Sequence, residues 1–302
     1  MSTTDIPAQG AVGRIIEAYA GPKGLPSVDF TQPAGEAALA APDSVSWQVF
    51  KNPVSLFIGG TTAVLLELAE PRVRSGVWDH TSFRTDPLPR MARTGLAAMV
   101  TVYGARSVAE RMIAGVGRMH ARVGGVTPAG EAYQALDQEL LDWVQATASF
   151  GFLQAYHNFV RPLPQADRDR FYAEAEPAAR LYGALGAPTS EAKMAQHLEA
   201  MRPKLKQSEI VFEFLDIMRR TPAAPGPLRP LQHMFIRAAV EILPGWARDT
   251  LRLGARHRLR PWERRMVRLA GAAADRLVLK SAPPAQACQR LGLPASYLYR
   301  RS

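Results

Sequence analysis

Two arginines, a threonine and a histidine stand on consecutive segments of a stretch that is otherwise mostly apolar. Arg90, Arg93 and Thr94 close the run DHTSFRTDPLPRMARTG, and His120 lies in RMHARVGG, which ends at Gly125. Val108, Met112, Val116 and His120 recur every four residues, so on a helix predicted over 107–123 the imidazole continues an apolar ridge. Gly117 and Gly124, three before and four after it, fall on the same side of that helix and remove side chains there. A flat ligand could then lie close to the helix while the imidazole reaches a metal at its centre. The same residues also describe a core histidine bonded to a backbone carbonyl, the commoner fate of a buried polar group.

The segment before it narrows the chemistry. On a helix predicted over 87–103, Arg90, Thr94, Ala97 and Thr101 share one face, with Arg93 at its edge. Two arginines and two hydroxyls on a strip of small residues describe a lined cavity. Arginine there binds carboxylates in a two-pronged fashion, those of a haem or those of a substrate. The competing role is structural, with both arginines capping a neighbouring helix or answering Asp79, Asp86 or Glu110. Haem, flat and anionic, is the first ligand this pattern suggests.

These side chains must be positioned by helices. Helical periodicity dominates, with candidates over 11–19, 54–69, 87–103, 107–123, 132–159, 165–183, 190–201, 208–219, 228–243 and 262–279, and a short pair after Pro283. No alternating run is joined by an Asn-Gly or Asp-Gly turn. Asp86-Pro87 reads as an N-cap followed by proline at the first helical position, and Ser190-Glu191 and Ser208-Glu209 as capped starts. The expected fold is all-α, one large multi-helix domain over 46–302 with an internal haem pocket. Residues 1–45 are read as an extension packing on it, and the proline-rich 221–230 as a connector.

Composition bounds the function. With 302 residues, 47% hydrophobic and 21% charged, the chain can bury a substantial core. Cys288 is the only cysteine, which excludes a disulfide framework or thiolate cluster and fits a reducing, cytoplasmic setting. The first residues lack the charged and apolar regions of a signal peptide. The greasiest run, 54–69, is shorter than a membrane span, carries Gly59 and Gly60, and ends around Glu67 and Glu70, so it reads as a buried helix. No zinc, phosphate-loop or serine-nucleophile motif is present. The remaining histidines rank below His120: His80 in a loop-like segment, His157 among aromatics, and His197, His233 and His257 near arginines or on exposed faces.

Taken in order, several further segments resemble the MpaB-type oxygenases and the catalytic domain of latex clearing proteins, the rubber oxygenases. They are Leu68-Ala69-Glu70-Pro71, Val77-Trp78-Asp79-His80-Thr81, Asp86-Pro87 with Arg90, Arg93 and Thr94, and Tyr103-Gly104. His120 with Val123 and Gly125, Tyr133-Gln134-Ala135, Leu141-Asp142-Trp143-Val144 and Ile242-Leu243-Pro244-Gly245-Trp246 continue the likeness, over roughly residues 50 to 250. The resemblance implies an all-helical oxygenase with b-type haem, His120 as the proximal ligand, and Arg90 and Thr94 on the distal side. It implies O2 as co-substrate and an apolar alkene, isoprenoid in the characterised relatives, as the molecule cleaved. Arg93 stands where latex clearing proteins carry a lysine. Arginine stays protonated in proteins and is a poor iron ligand, so the distal position is expected open, water-bound or otherwise ligated. Gln145 and Glu70 stand where many relatives have histidine.

Two other readings come from charge and ending. The net charge is +10, with much of the excess after Arg219 in runs such as RLGARHRLRPWERRMVRLAG, a bias that suits nucleic acid, an acidic membrane surface or an anionic ligand. Ala287, Gly292, Tyr297 and Arg300 imitate a short helix-turn-helix, which would make a DNA-binding protein. The third possibility is a helical protein without haem that binds a lipid or a protein partner.

Overall fold

The computed structural model describes residues 27–222 and 229–299. Its centre is the crossing of two helices, α2 (Pro53–Glu67) and α6 (Gln138–Phe159), which follow a short α1 (Val45–Phe50) and α3 (Pro71–His80), α4 (Pro87–Tyr103) and α5 (Arg106–His120). Asn52 starts α2, its side-chain oxygen accepting from Val54 N at 3.0 Å and Ser55 N at 3.2 Å, with Pro53 in the first turn. At the crossing a Cβ on Gly59 would lie 2.7 Å from Phe152 Cα, and one on Gly151 would overlap the Gly59 carbonyl. The two backbones therefore touch, which only glycine permits. The Thr62 hydroxyl, 2.9 Å from Ile58 O, is also 3.1 Å from Ala239 O, which ties α2 to α10 (Arg229–Glu241).

The remaining helices are α7 (Gln165–Leu181), α8 (Glu191–Met201), α9 (Glu209–Arg220), α11 (Gly245–Thr250), α12 (Pro261–Ala274) and α13 (Pro283–Arg290). Ser190 and Ser208 cap α8 and α9 as expected, accepting from Lys193 N and Ile210 N. Asp86 precedes α4 but makes no side-chain cap bond, so Pro87 alone marks that start. The largest core cluster runs from Phe30 and Ala38 through Trp47, Trp143 and Tyr156 to Leu298. No single described helix is long and apolar enough to cross a membrane; the pair α2 and α3, bent by 112°, passes together by length and composition only.

The all-α expectation holds for the described residues apart from one ribbon. The helix expected from residue 132 begins only at Gln138; before it, β1 (Gly124–Val126) pairs antiparallel with β2 (Ala132–Gln134), Gly125 opposite Tyr133. The intervening turn explains the change. Gly130 adopts φ +86° and Thr127 N donates to Glu131 O at 2.8 Å, while Tyr133 is buried between exposed Ala132 and Gln134. The segment read as loop-like around His80 is helical, and the helix expected over 262–279 stops at Ala274. The candidate helix over 11–19 lies outside the described residues.

Among the described residues the C-terminal segment forms no second recognition helix. Gly292 turns the chain with φ +69°, and a 3-10 turn, Tyr297–Tyr299, is the one element that follows it among the described residues. Arg290 is 3% exposed and donates to the carbonyls of Glu36 and Phe30, so this basic residue is spent on the core. Glu70 is likewise structural. It caps α3 by accepting from Val73 N at 2.8 Å and pairs with Arg72 at the same distance.

Candidate active-site cavity

Of the seventeen residues of α4 only Ala92, Val100, Val102 and Tyr103 are buried, although the helix is largely apolar. The reason is a cavity of about 1030 Å³ whose wall it forms together with α2, α5 and α6. Arg90, Arg93, Thr94 and His120 all line it, so the residues that stood out in the sequence meet in one place. Gln145 lines it too, its amide 3.5 Å from the Ser149 hydroxyl.

His120 is the last residue of α5 and is half-buried, and its imidazole has no hydrogen-bond partner among the described residues. The carbonyl partner of an ordinary core histidine is missing. Burial, helped by the nearby Arg90 cation, holds its pKa below the usual histidine value. The ring is therefore neutral at neutral pH and keeps a nitrogen lone pair to offer.

Arg90 donates to the Thr94 hydroxyl one turn on, and that hydroxyl lies 3.0 Å from the Arg90 carbonyl. Burial opposes the Arg90 charge and Glu67 favours it. Arg93 is exposed and lines the cavity, its guanidinium donating to the Ser82 hydroxyl at 3.4 Å. Thr101 donates to Ala97 O at 2.8 Å and accepts from the Tyr182 hydroxyl at 3.0 Å. Gly117 has open space where a side chain would stand, and so does Gly95. Gly124 does not share the His120 face: α5 has already ended, and a Cβ there would overlap the Gln134 side chain across the ribbon. Neither Gly117 nor Gly124 is on the cavity wall.

The other histidines differ in setting. His80 ends α3 at the cavity wall, its Nε2 3.3 Å from the Tyr133 hydroxyl. His157 Nδ1 accepts from Leu163 N at 3.0 Å and so fixes a turn. His197 lies against the Trp143 ring, 5.9 Å between centroids. His257 sits between Arg219 and Arg256, and His233 lies 3.3 Å from Arg219 O.

Glu67 was hidden in the sequence as the polar end of a greasy helix. It lines the cavity, and burial pushes its carboxyl up to about 7 against the opposing pull of Arg90 and Thr147. The Thr147 hydroxyl does little for it, lying 3.4 Å away while it sits 2.9 Å from Val144 O. The signal that could have found it is its isolation, one carboxylate inside an otherwise uncharged run from Pro53 to Ala69.

A raised carboxyl pKa has a definite sign for stability. The folded protein holds the proton at pH values where the unfolded chain, with a carboxyl near about 4.3, has lost it. Stability from this group is therefore full in acid and falls as pH rises from about 4.3 to 7. At roughly 1.4 kcal/mol per pKa unit the loss is a few kcal/mol at most. Glu67→Gln is expected to raise the melting temperature of the cofactor-free protein at pH 8 and leave it unchanged at pH 4. Equal shifts at both pH values would mean that Glu67 ionises freely.

Around one largely apolar cavity the described residues gather an imidazole with no hydrogen-bond partner among them, two arginines and a buried carboxyl, with room for a sizeable ligand. The chain belongs to the family described as ER-bound oxygenase mpaB/B'/rubber oxygenase, catalytic domain, which it matches over residues 47–275. Membership supports an oxygenase-type enzyme acting on a small molecule with O2. No curated protein and no solved structure matches the chain.

Proposed function

We propose that the protein is a b-type haem-dependent oxygenase acting with O2 on an apolar alkene, isoprenoid in kind. In this reading residues 46–302 work as one helical domain in the cytoplasm, with 1–45 as an extension. The observation that carries it is His120, a neutral imidazole with no hydrogen-bond partner among the described residues, on the wall of a cavity of about 1030 Å³. Among the described residues no group of three or more His, Cys, Asp or Glu could hold a bare metal ion. Haem brings four nitrogen ligands of its own and asks the protein for a single histidine, so the residues present fit haem better than a free metal.

Bound there, the haem would supply binding and activation of O2. His120 would ligate the iron as the neutral imidazole, and Arg93, facing the cavity, would pair with a propionate. Arg90, held by Thr94, would donate to oxygen-centred negative charge as it develops. Glu67, with a pKa close to neutrality, can take up or release a proton at its carboxylate oxygens beside Arg90. The apolar walls, Phe57 and Val64 of α2 and Val116 of α5 among them, exclude water and accept a hydrocarbon chain.

The test is turnover of isoprenoid alkenes by protein produced with haem, under isotopically labelled O2. Carbonyl products carrying label at both new oxygens support the reading, and haem-loaded protein that leaves every alkene untouched sinks the substrate class. Arg90→Ala is expected to lower kcat by about 100-fold, the usual loss for one donor to developing oxygen charge. Its melting temperature should fall only slightly, because its side-chain bond is to Thr94 within the same helix. Unchanged turnover would remove Arg90 from the chemistry.

A further inference from the structure

We propose that the outer face of α12 docks the protein on an anionic lipid bilayer, independently of what the cavity holds. Glu263, Val267 and Gly271 face inward, where a Cβ on Gly271 would overlap Phe159 O of α6. On the opposite side Trp262, Met266 and Leu269 are 51%, 45% and 65% exposed. They recur at four and three residues, so they form one continuous apolar stripe along the helix.

The stripe has a charged border of one sign. Residues 252–276 hold eight arginines and two acids, Glu263 and Asp275. Both acids turn inward: Glu263 is 1% exposed and pairs with Arg237, and Asp275 lies 3.4 Å from Lys51 Nζ. Arg265 and Arg276 flank the stripe, are exposed, and make no side-chain hydrogen bond or ion pair among the described residues. An exposed tryptophan beside leucine and methionine, edged by free guanidinium groups, is the composition of a helix that lies in a bilayer interface. A face for duplex DNA needs the cations and polar groups for base edges, and gives such a stripe nothing to do. The same helix leads to the cavity, since Ala274 at its end, and Leu277 and Leu279 just beyond, line it. A bilayer on this face would lie beside one wall of a chamber suited to apolar molecules.

The test is cosedimentation of the whole protein with vesicles of phosphatidylcholine, with and without phosphatidylglycerol, alongside acrylamide quenching of tryptophan fluorescence. Trp47, Trp78 and Trp143 are buried and Trp246 is half-buried beneath the Arg202 guanidinium, so Trp262 is the most exposed of the five and contributes most to the quenchable signal. Expected are binding that needs the anionic lipid, shielding of Trp262 on binding, and about fivefold weaker binding for each of Arg265→Gln and Arg276→Gln. Trp262→Ser, with an unchanged circular dichroism spectrum, should weaken binding about tenfold. Failure to bind, or binding indifferent to Trp262→Ser, would overturn the proposal. Tryptophan already shielded in the free protein, and exposed by dilution or by Leu269→Ser, would give the stripe to a second copy or to the chain itself. Tighter binding to duplex DNA than to vesicles, unaffected by Trp262→Ser, would assign the arginines to nucleic acid.

Discussion

His120→Ala is expected to abolish haem retention while leaving the helical fold in place. The two halves of that expectation rest on different observations. The imidazole makes no hydrogen bond among the described residues and is only half-buried at the end of α5, so its loss removes little packing and strands no donor or acceptor there. Its remaining property is a neutral nitrogen presented to the cavity, which burial and the Arg90 cation both favour. Absorption spectra of parent and variant, each produced with haem supplied, read the outcome directly: a Soret band in the parent alone, with matching circular dichroism. A variant that keeps the band would move the ligand elsewhere, and His80, also on the cavity wall, is the next histidine to replace. No band in either protein would end the haem reading without touching the assignment of the fold.

What the sequence disclosed follows from the kind of signal each feature leaves. The helix over 87–103 was legible to the residue, because Pro87 fixes its start and Gly104 follows its last apolar position. The meeting of Arg90, Arg93, Thr94 and His120 was legible as well, since helical spacing puts each group on a definite face. Periodicity failed where helix and strand patterns are short: Ala132–Gln134 looks like a helical prelude, and only the Gly130 turn makes it a strand. Gly124 falls on the His120 face only by counting on past a helix that has already ended. Glu67 was missed for a different reason. Nothing local distinguishes a carboxyl at a helix end in solvent from one turned into a cavity, because the cavity is made by helices remote in sequence. Asp86 shows the converse, a good cap residue by type whose side chain makes no cap bond.

Gly151→Ala is expected to destabilise the fold by about 3 kcal/mol or more, at the upper end of what one added methyl costs in a packed core. The added Cβ would overlap the Gly59 carbonyl and sit 3.2 Å from Ala63 N, and all of these are backbone atoms. No rotamer can relieve such a clash, so α2 and α6 must separate along the crossing that organises the core. Gly59→Ala meets the same obstacle from the other side, with Phe152 Cα 2.7 Å away. Gly60 is the informative control. It follows Gly59 directly, yet a Cβ there meets only the Phe152 ring at 3.9 Å, an ordinary contact. Gly60→Ala should therefore be neutral or stabilise by up to about 1 kcal/mol, the gain from removing glycine within a helix. Urea unfolding of the three variants separates helix propensity, which would favour all three, from backbone contact, which penalises two. The cavity should follow the fold, because Glu67 and Gln145 stand on the two helices that would be pushed apart. Equal stability of Gly151→Ala and Gly60→Ala would mean the helices do not touch there, and the cavity walls would lose their common support.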